Sequence, residues 1–227
     1  GLFSDKLSIA VRRQGTDLDA LEGRSLSAAI HQLSIGDRLQ LEPPSGGFNP
    51  PTHGDRPVVF LAAGIGITPF ISALERLAAE GCNAEIMLLH GCRSGAEHPF
   101  SYRLKELCAV LPRLRRITAF SAPLPTDVAG KDYAVDGRVD FTAVTQLLPR
   151  KPLVYICGSP GFTESATQAM KALGIPAFDI MSETFTSPKP VPPDLQPQVV
   201  HVAGTESSFE WRPEMGSLLD AALEHGL

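Results

Sequence analysis

Three stretches of the 227-residue chain differ in the pattern of their apolar and polar positions. In the first, residues 1–52, apolar and polar side chains alternate over residues 7–12, as in a half-buried β-strand. Residues 39–41 predict a second short strand, and residues 27–33 predict a short helix. The segment 43–51 is rich in proline and glycine and marks a boundary. We therefore predict that residues 1–52 are mainly β-structure.

The second stretch, residues 53–185, alternates short apolar runs with helical stripes. Residues 58–62 form an apolar run typical of a strand buried on both faces, and Phe70, Leu74 and Leu77 share one stripe of the helix that follows. Further strands are predicted at residues 84–89, 116–120, 153–157 and 177–181, with helices near 100–111, 141–148 (capped by Asp140) and 162–173. Because parallel strands need crossover connections, this alternation predicts an α/β domain with a doubly wound parallel sheet.

The third stretch begins with a linker. Residues 186–197 contain five prolines, which favour a stiff, extended spacer. After it, residues 199–202 and 209–211 predict two strands, and residues 218–223 predict a helix. About 30 residues are too few for an independent core without additional cross-links.

Composition narrows the class of protein. The net charge is −5, and no run of basic residues exceeds two, which argues against a nucleic-acid partner. No apolar stretch is long enough to span a membrane, and no signal-peptide pattern begins the chain, so we expect a cytoplasmic protein. The spacing of the four cysteines fits neither a zinc nor an iron–sulfur site, and the six histidines show no pairing that suggests a metal.

One motif predicts a dinucleotide site. Gly64, Gly66, Thr68 and Pro69 follow a buried strand and open a helix. Two glycines permit a tight turn and a close backbone approach to a ligand, while Thr68 suits the cap of the helix and Pro69 its first turn. Free N–H groups and the helix dipole there favour a pyrophosphate. A glycine turn of this kind is also common as a purely structural feature, and Pro69 replaces the third glycine of the usual fingerprint.

A second motif, Cys157-Gly158-Ser159-Pro160, also lies between a predicted strand and a helix. In open α/β sheets, ligands bind at the carboxyl ends of the strands, so this motif should face the same crevice as Gly64 to Thr68. Taken alone, a Cys-Gly pair at a strand end is more often structural than functional.

Together, the two motifs, about 90 residues apart, resemble the ferredoxin–NADP reductase superfamily. Residues 27–48 are similar to the end of that superfamily's flavin barrel, and residues 199–223 to the start of a plant-type [2Fe–2S] ferredoxin domain. This order resembles the phthalate dioxygenase reductase branch. The resemblance implies part of an antiparallel flavin-binding β-barrel (1–52), an NAD(P)-binding α/β domain (53–185), a linker (186–197) and a partial β-grasp ferredoxin domain (198–227).

The resemblance also implies roles for single residues. Those expected to hold the nucleotide's pyrophosphate and nicotinamide end are Gly64, Gly66, Thr68 and Pro69. Those expected beside the nicotinamide are Cys157, Gly158 and Pro160, and those expected at the adenosine ribose or its phosphate are Arg93 and Ser94. Arg93 has the alternative interpretation of a solvated loop residue. His90 and His31 are more easily explained as structural than as catalytic residues.

For the flavin, FAD or FMN, the resemblance implies contacts from Val11, Arg12, Ser27, Glu183 and Phe185, with the Phe185 ring over the isoalloxazine. Ser27 as a helix cap and Phe185 as a core residue are the alternatives. The family's Arg-x-Tyr-Ser flavin motif is missing before Leu7, and no cysteine follows Trp211 to bind a cluster. We therefore expect both ends to continue in a longer protein, and a [2Fe–2S] cluster only there.

The implied function is that of an oxidoreductase. It would pass hydride from NAD(P)H to the flavin, then single electrons to a [2Fe–2S] cluster and on to an acceptor protein such as an oxygenase. Residues 90–96, after the second predicted strand, include Arg93 but no carboxylate. Because an arginine there can receive a 2′-phosphate, this slightly favours NADPH over NADH. One rival is a non-catalytic electron-transfer or interaction subunit with the same fold. Another is a reductase that releases free reduced flavin, against which the ferredoxin-like tail argues.

Overall fold

The computed structural model describes residues 7–13, 16–17, 25–41, 47–51, 55–81, 83–184, 195–202, 207–215 and 218–226. The chain divides into two compact units, residues 1–185 and residues 186–227. Within the described ranges, no helix has the length and apolar character needed to cross a membrane.

The first unit is built on a six-stranded, all-parallel sheet with the strand order β4-β3-β2-β1-β5-β6. Its strands are β1 (Val58–Ala63), β2 (Ile86–Cys92), β3 (Leu114–Phe120), β4 (Val135–Asp136), β5 (Leu153–Gly158) and β6 (Ile180–Thr184). The chain first builds the sheet outward from β1 to β4 and then returns to the other side of β1. The strand order therefore reverses between β1 and β5, where open α/β sheets form their ligand crevice.

Helices cover both faces of this sheet, as the sequence pattern predicts. The α-helices with described bounds in the first unit are α1 (Leu26–Ile30), α2 (Thr68–Ala79), α3 (Ser101–Val110) and α4 (Pro160–Ala172). Alternate residues of β1 and β2 pack on α2 and α3, and the residues between them pack on α4 and a 3-10 helix, Phe141–Arg150. Because β1, β2 and β5 are buried on both faces, their sequences are mostly apolar rather than alternating, with His90 of β2 as a buried polar exception.

Several predicted boundaries shift. The predicted helix at 141–148 is a 3-10 helix that runs to Arg150, and Pro149 within it cannot donate the backbone hydrogen bond of a longer α-helix. Its predicted cap is confirmed, because the Asp140 carboxylate accepts a hydrogen bond from the Thr142 N–H at 2.9 Å. The last predicted strand is displaced to Ile180–Thr184, because residues Ala177–Asp179 after Pro176 form a short 3-10 turn.

The predicted strands of residues 1–52 do not form in the described part of that segment, which includes the helix α1. Leu7 and Ile9 are 83% and 64% exposed, and residues 39–41 are exposed as well. Alternation stabilises a strand only where a neighbouring strand and a core accept it, and no described strand lies beside these residues. Helix α1 starts at Leu26, and its cap is Ser25, whose hydroxyl accepts from the Ala28 N–H at 3.2 Å.

The second unit contains an antiparallel pair, β7 (Gln198–His201) and β8 (Ser208–Trp211), followed by helix α5 (Leu218–Glu224). Phe209, Trp211 and Ala221 form its small core. The two strands and the helix are confirmed. Most of the predicted linker, residues 186–194, lies outside the described residues.

Candidate nucleotide-binding site

The glycine motif forms the link between β1 and α2. Gly64 has a φ of +52°, a left-handed value that glycine adopts at little cost, and it begins a 3-10 turn, Gly64–Ile67. Thr68 and Pro69 are the first residues of α2, with Pro69 in the first turn as predicted. The expectation that Thr68 caps this helix is wrong, since Thr68 already has helical dihedral angles and the cap position belongs to Ile67.

The two sequence motifs meet at Gly66. A Cβ atom added to Gly66 would lie 2.2 Å from the carbonyl oxygen of Cys157 and 2.8 Å from the Cα of Gly158. Glycine is therefore required where the turn crosses the carboxyl end of β5. Gly158 is similarly confined, because a Cβ there would lie 2.8 Å from the Phe162 ring and 3.0 Å from the Ala63 Cβ. The result is a backbone-lined cradle at the point where the strand order reverses.

Cys157 lies fully buried in this cradle. Burial, assisted by the nearby Glu183 carboxylate, raises the pKa of its thiol to about 12. The thiol is therefore neutral at physiological pH and is no nucleophile. What Cys157 supplies is a small, uncharged side chain beside the glycine turn.

A histidine that sequence reasoning treated as structural holds the turn in place. The Nε2 of His90, on β2, lies 3.0 Å from the carbonyl oxygen of Gly64. A carbonyl only accepts hydrogen bonds, so Nε2 carries the proton and donates. Burial lowers the pKa of His90 to about 3, so the ring is neutral and its Nδ1, which is buried without a partner, is unprotonated. The feature of the sequence that could have indicated this role is that His90 and Cys92 lie two residues apart on a buried strand.

The loop after β2 carries the two residues expected at the adenosine end. Ser94 is buried, whereas the Arg93 side chain is 73% exposed, with its Nε 3.8 Å from a carboxylate oxygen of Glu97. Two hydrogen bonds join this loop to the segment after β3. The Gly95 N–H donates to the Asp127 carboxylate at 3.0 Å. The Ala122 N–H donates to the Arg93 carbonyl at 2.8 Å. Arg93 is thus a solvent-facing cation on a fixed backbone.

The residues expected near a flavin are less closely grouped. Glu183 is exposed on β6 and pairs in register with Cys157 of β5. The Arg12 guanidinium lies 4.0 Å from Glu97, and the Val11 carbonyl accepts from the His31 ring at 2.9 Å. Phe185 lies outside the described residues. The Arg12–Glu97 pair, which the sequence did not indicate, joins the first segment to the loop after β2.

Ser27 lies half-buried in the first turn of α1, with its hydroxyl 3.2 Å from that of Ser25. Pro160, expected beside the nicotinamide, begins α4 in an exposed position. Both assignments remain predictions.

This geometry defines a class: an α/β nucleotide-binding module whose glycine turn crosses the neighbouring strand at the switch point. Residues 60–168 match the family model of the oxidoreductase NAD-binding domain. The matched region is therefore an oxidoreductase NAD-binding domain, and the solved structures that the chain resembles belong to the ferredoxin–NADP reductase superfamily.

Comparison with individual proteins supports this placement. The chain is 31% identical over 183 residues to the flavohemoprotein of Bordetella pertussis, covering 79% of this chain and 44% of that protein. It is similar to the FAD/NAD-binding domain of nitric oxide dioxygenase from Vibrio cholerae, with a TM-score of 0.61 and 27% identity over 70% of this chain and 64% of that one. It is also similar to the Amycolatopsis cytochrome P450 reductase, with a TM-score of 0.56 and 26% identity over 69% and 46%. The chain spans less than half the length of the curated relatives it matches.

We predict that Gly66→Ala weakens nucleotide binding by at least about tenfold, because its Cβ would displace the turn from β5. Gly161→Ala is the matched control, because a Cβ added at that position of α4 would meet no atom within 4 Å outside its own helix. Isothermal titration with NADP⁺ and NAD⁺ compares the two variants with the parent protein. Equal affinity of the Gly66→Ala variant would contradict the proposed cradle.

We also predict that His90 makes the stability of the fold depend on pH. Its folded pKa of about 3 lies below the value of about 6.5 for an unfolded histidine, so the unfolded state binds more protons between these values. Stability is therefore full above pH 6.5 and falls on acidification, by about 1 kcal/mol per pH unit for this group.

The measurement is urea unfolding between pH 7 and pH 4.5, in which His90→Gln should show a shallower loss of stability than the parent protein. His98→Gln should act in the same direction, because burial also lowers the pKa of His98, to about 4. Parallel curves for the parent and both variants would show that neither ring is buried in its neutral form.

Proposed function

We propose that the protein is a flavin-dependent NAD(P)H reductase in which the Gly64–Pro69 turn and the Cys157–Pro160 segment hold the nucleotide. The observation that carries the proposal is the approach of Gly66 to β5, which leaves backbone and no side chain on the floor of the crevice. This contact fixes the path of the turn against β5, and a glycine turn held in this way before a helix suits a pyrophosphate, whose oxygens need close approach to backbone N–H groups.

Within this site, each residue contributes binding or positioning rather than acid–base chemistry. The N-terminus of α2 presents its dipole to the phosphates, although the Thr68 N–H already donates to the Ile65 carbonyl and Pro69 has no N–H. His90 fixes the Gly64 carbonyl and thereby the path of the turn. We place the nicotinamide beside Gly158, where the buried, neutral Cys157 thiol adds no charge. From the resemblance, we assign contacts with the flavin to Val11, Arg12, Ser27, Glu183 and Phe185.

When bound, a flavin would supply acceptance of hydride and release of single electrons. We further propose, following the resemblance to the phthalate dioxygenase reductase branch, that these electrons pass to a [2Fe–2S] cluster and to an acceptor such as an oxygenase. The β7–β8 hairpin and α5 support a ferredoxin-like unit. Residues 186–227 contain no cysteine, so they supply no ligand for the cluster themselves.

Turnover tests the reductase proposal. The protein, supplied with FAD or FMN and NAD(P)H, should reduce ferricyanide well above the rate of the nucleotide–flavin mixture alone, and Gly66→Ala should abolish the increase. Nucleotide binding without any accelerated reduction, in the presence of either flavin, would instead favour a non-catalytic electron-transfer or interaction subunit.

Arg93 provides the test of nucleotide preference. If its exposed guanidinium receives a 2′-phosphate, Arg93→Ala should weaken NADPH binding by about tenfold and leave NADH binding unchanged, since a lost charge-assisted hydrogen bond is worth about 1.5 kcal/mol or more. Glu97→Gln is the complementary variant, because it removes the carboxylate beside Arg93 and should strengthen NADPH binding. Equal effects of Arg93→Ala on both nucleotides would contradict the preference for NADPH.

A further inference from the structure

Three side chains suited to metal coordination meet behind the glycine turn. His90 and Cys92 are two residues apart on β2 and therefore share one face of the sheet. The 3-10 turn Gly95–Glu97 brings His98 back over that face, and the His90 and His98 rings lie edge to face with centroids 5.1 Å apart. One ligand atom from each of the three residues lies within 4.8 Å of the other two.

The polar atoms of this cluster are incompletely satisfied by the protein. The Nε2 of His98 and the Nδ1 of His90 are buried without a hydrogen-bond partner. Buried ring nitrogens are normally paired, so each unpaired one requires an explanation. A neutral imidazole has one nitrogen with a free lone pair, so His98 can coordinate through its unpaired Nε2, whereas His90 can coordinate through Nε2 only when its proton moves to Nδ1.

The distance between a ring nitrogen of His90 and the sulfur of Cys92 is suited to the binding of both atoms to the same ion. His90 Nε2 and Cys92 Sγ are 3.3 Å apart. In a tetrahedral zinc site, with Zn–S of about 2.3 Å and Zn–N of about 2.1 Å, such atoms lie roughly 3.5 Å apart. Two imidazoles and one thiolate form a donor set that suits zinc and chemically similar ions, with the fourth position open to water.

The charges around the cluster include both signs. Arg116 and Lys105 place positive charge near the His98 ring, and Asp127 and Asp132 place negative charge near it. The Glu97 carboxylate places negative charge near Cys92. On binding an ion, the Cys92 thiol would lose its proton to solvent and supply one further negative charge.

We propose that His90, Cys92 and His98 bind one zinc-class divalent transition-metal ion, and that the bound ion weakens nucleotide binding at the Gly64 turn. The second part follows from the geometry of one atom. His90 Nε2 now donates its proton to the Gly64 carbonyl, and it cannot do so while it gives its lone pair to an ion. Metal binding would therefore release the turn, and by linkage the nucleotide would weaken metal binding by the same factor. This second part rests on the proposed nucleotide site, whereas the metal site does not.

Cobalt(II) is the direct probe, because tetrahedral cobalt–thiolate sites absorb in the visible and show a sulfur-to-metal charge-transfer band in the near ultraviolet. The whole chain should develop both absorptions at one equivalent of Co²⁺ and lose them when Zn²⁺ is added.

Cys92→Ser should abolish the charge-transfer band, and His98→Gln should weaken Co²⁺ binding by at least about tenfold. Cys108→Ser is the matched control, since this half-buried thiol of α3 lies outside the cluster and its loss should change nothing. Far-UV circular dichroism verifies that each variant is folded.

The coupling is measured by titrating NADP⁺ with and without one equivalent of Zn²⁺. Zinc should raise the dissociation constant by about five- to tenfold, and the effect should vanish in His98→Gln. An absent cobalt–thiolate spectrum, or one unchanged in both cluster variants, would overturn the metal site. Stoichiometric metal with unchanged nucleotide affinity would overturn the coupling alone. A cobalt spectrum in a protein that binds no nucleotide would refute the proposed function and leave the metal site standing.

Discussion

The structure of the site depends on one close approach of backbone to backbone. The turn after β1 crosses the end of β5 at a distance that excludes any side chain at Gly66. This crossing is possible because β1 and β5 are neighbours in the sheet, with Ala62 and Cys157 in register, although about 90 residues separate them in the chain. The parallel sheet thus brings two glycine-containing segments to one edge and fixes the distance between them.

The rest of the site supports that crossing. On one side, the hydrogen bond from His90 holds the Gly64 carbonyl, so β2 as well as β1 determines the path of the turn. On the other side, Phe162 of α4 packs against Gly158, and this contact explains why position 158 also requires glycine. The polar cluster at His90, Cys92 and His98 lies directly behind the turn. Any change in the protonation or coordination of His90 would therefore act on the nucleotide site through a single hydrogen bond.

The sequence predicted those parts of the molecule that local patterns determine. The apolar runs and stripes of residues 53–185 predicted the parallel sheet and its covering helices, and the two glycine motifs predicted where the crevice lies. Local patterns failed where a partner outside the segment decides the structure. Residues 7–12 alternate like a strand, but no described strand lies beside them. The return of His98 onto β2 also depends on the turn at residues 95–97, so the spacing of the histidines did not reveal the cluster.

The central claim is that a dinucleotide occupies the crevice where Gly66 crosses β5. Hydrogen–deuterium exchange of the protein with and without saturating NADP⁺ or NAD⁺ tests it most directly, because it locates the ligand on the backbone itself. We predict slower exchange in residues 64–69, 93–97 and 157–160. Slower exchange elsewhere in the sheet, with no change at the Gly64–Pro69 turn, would contradict it.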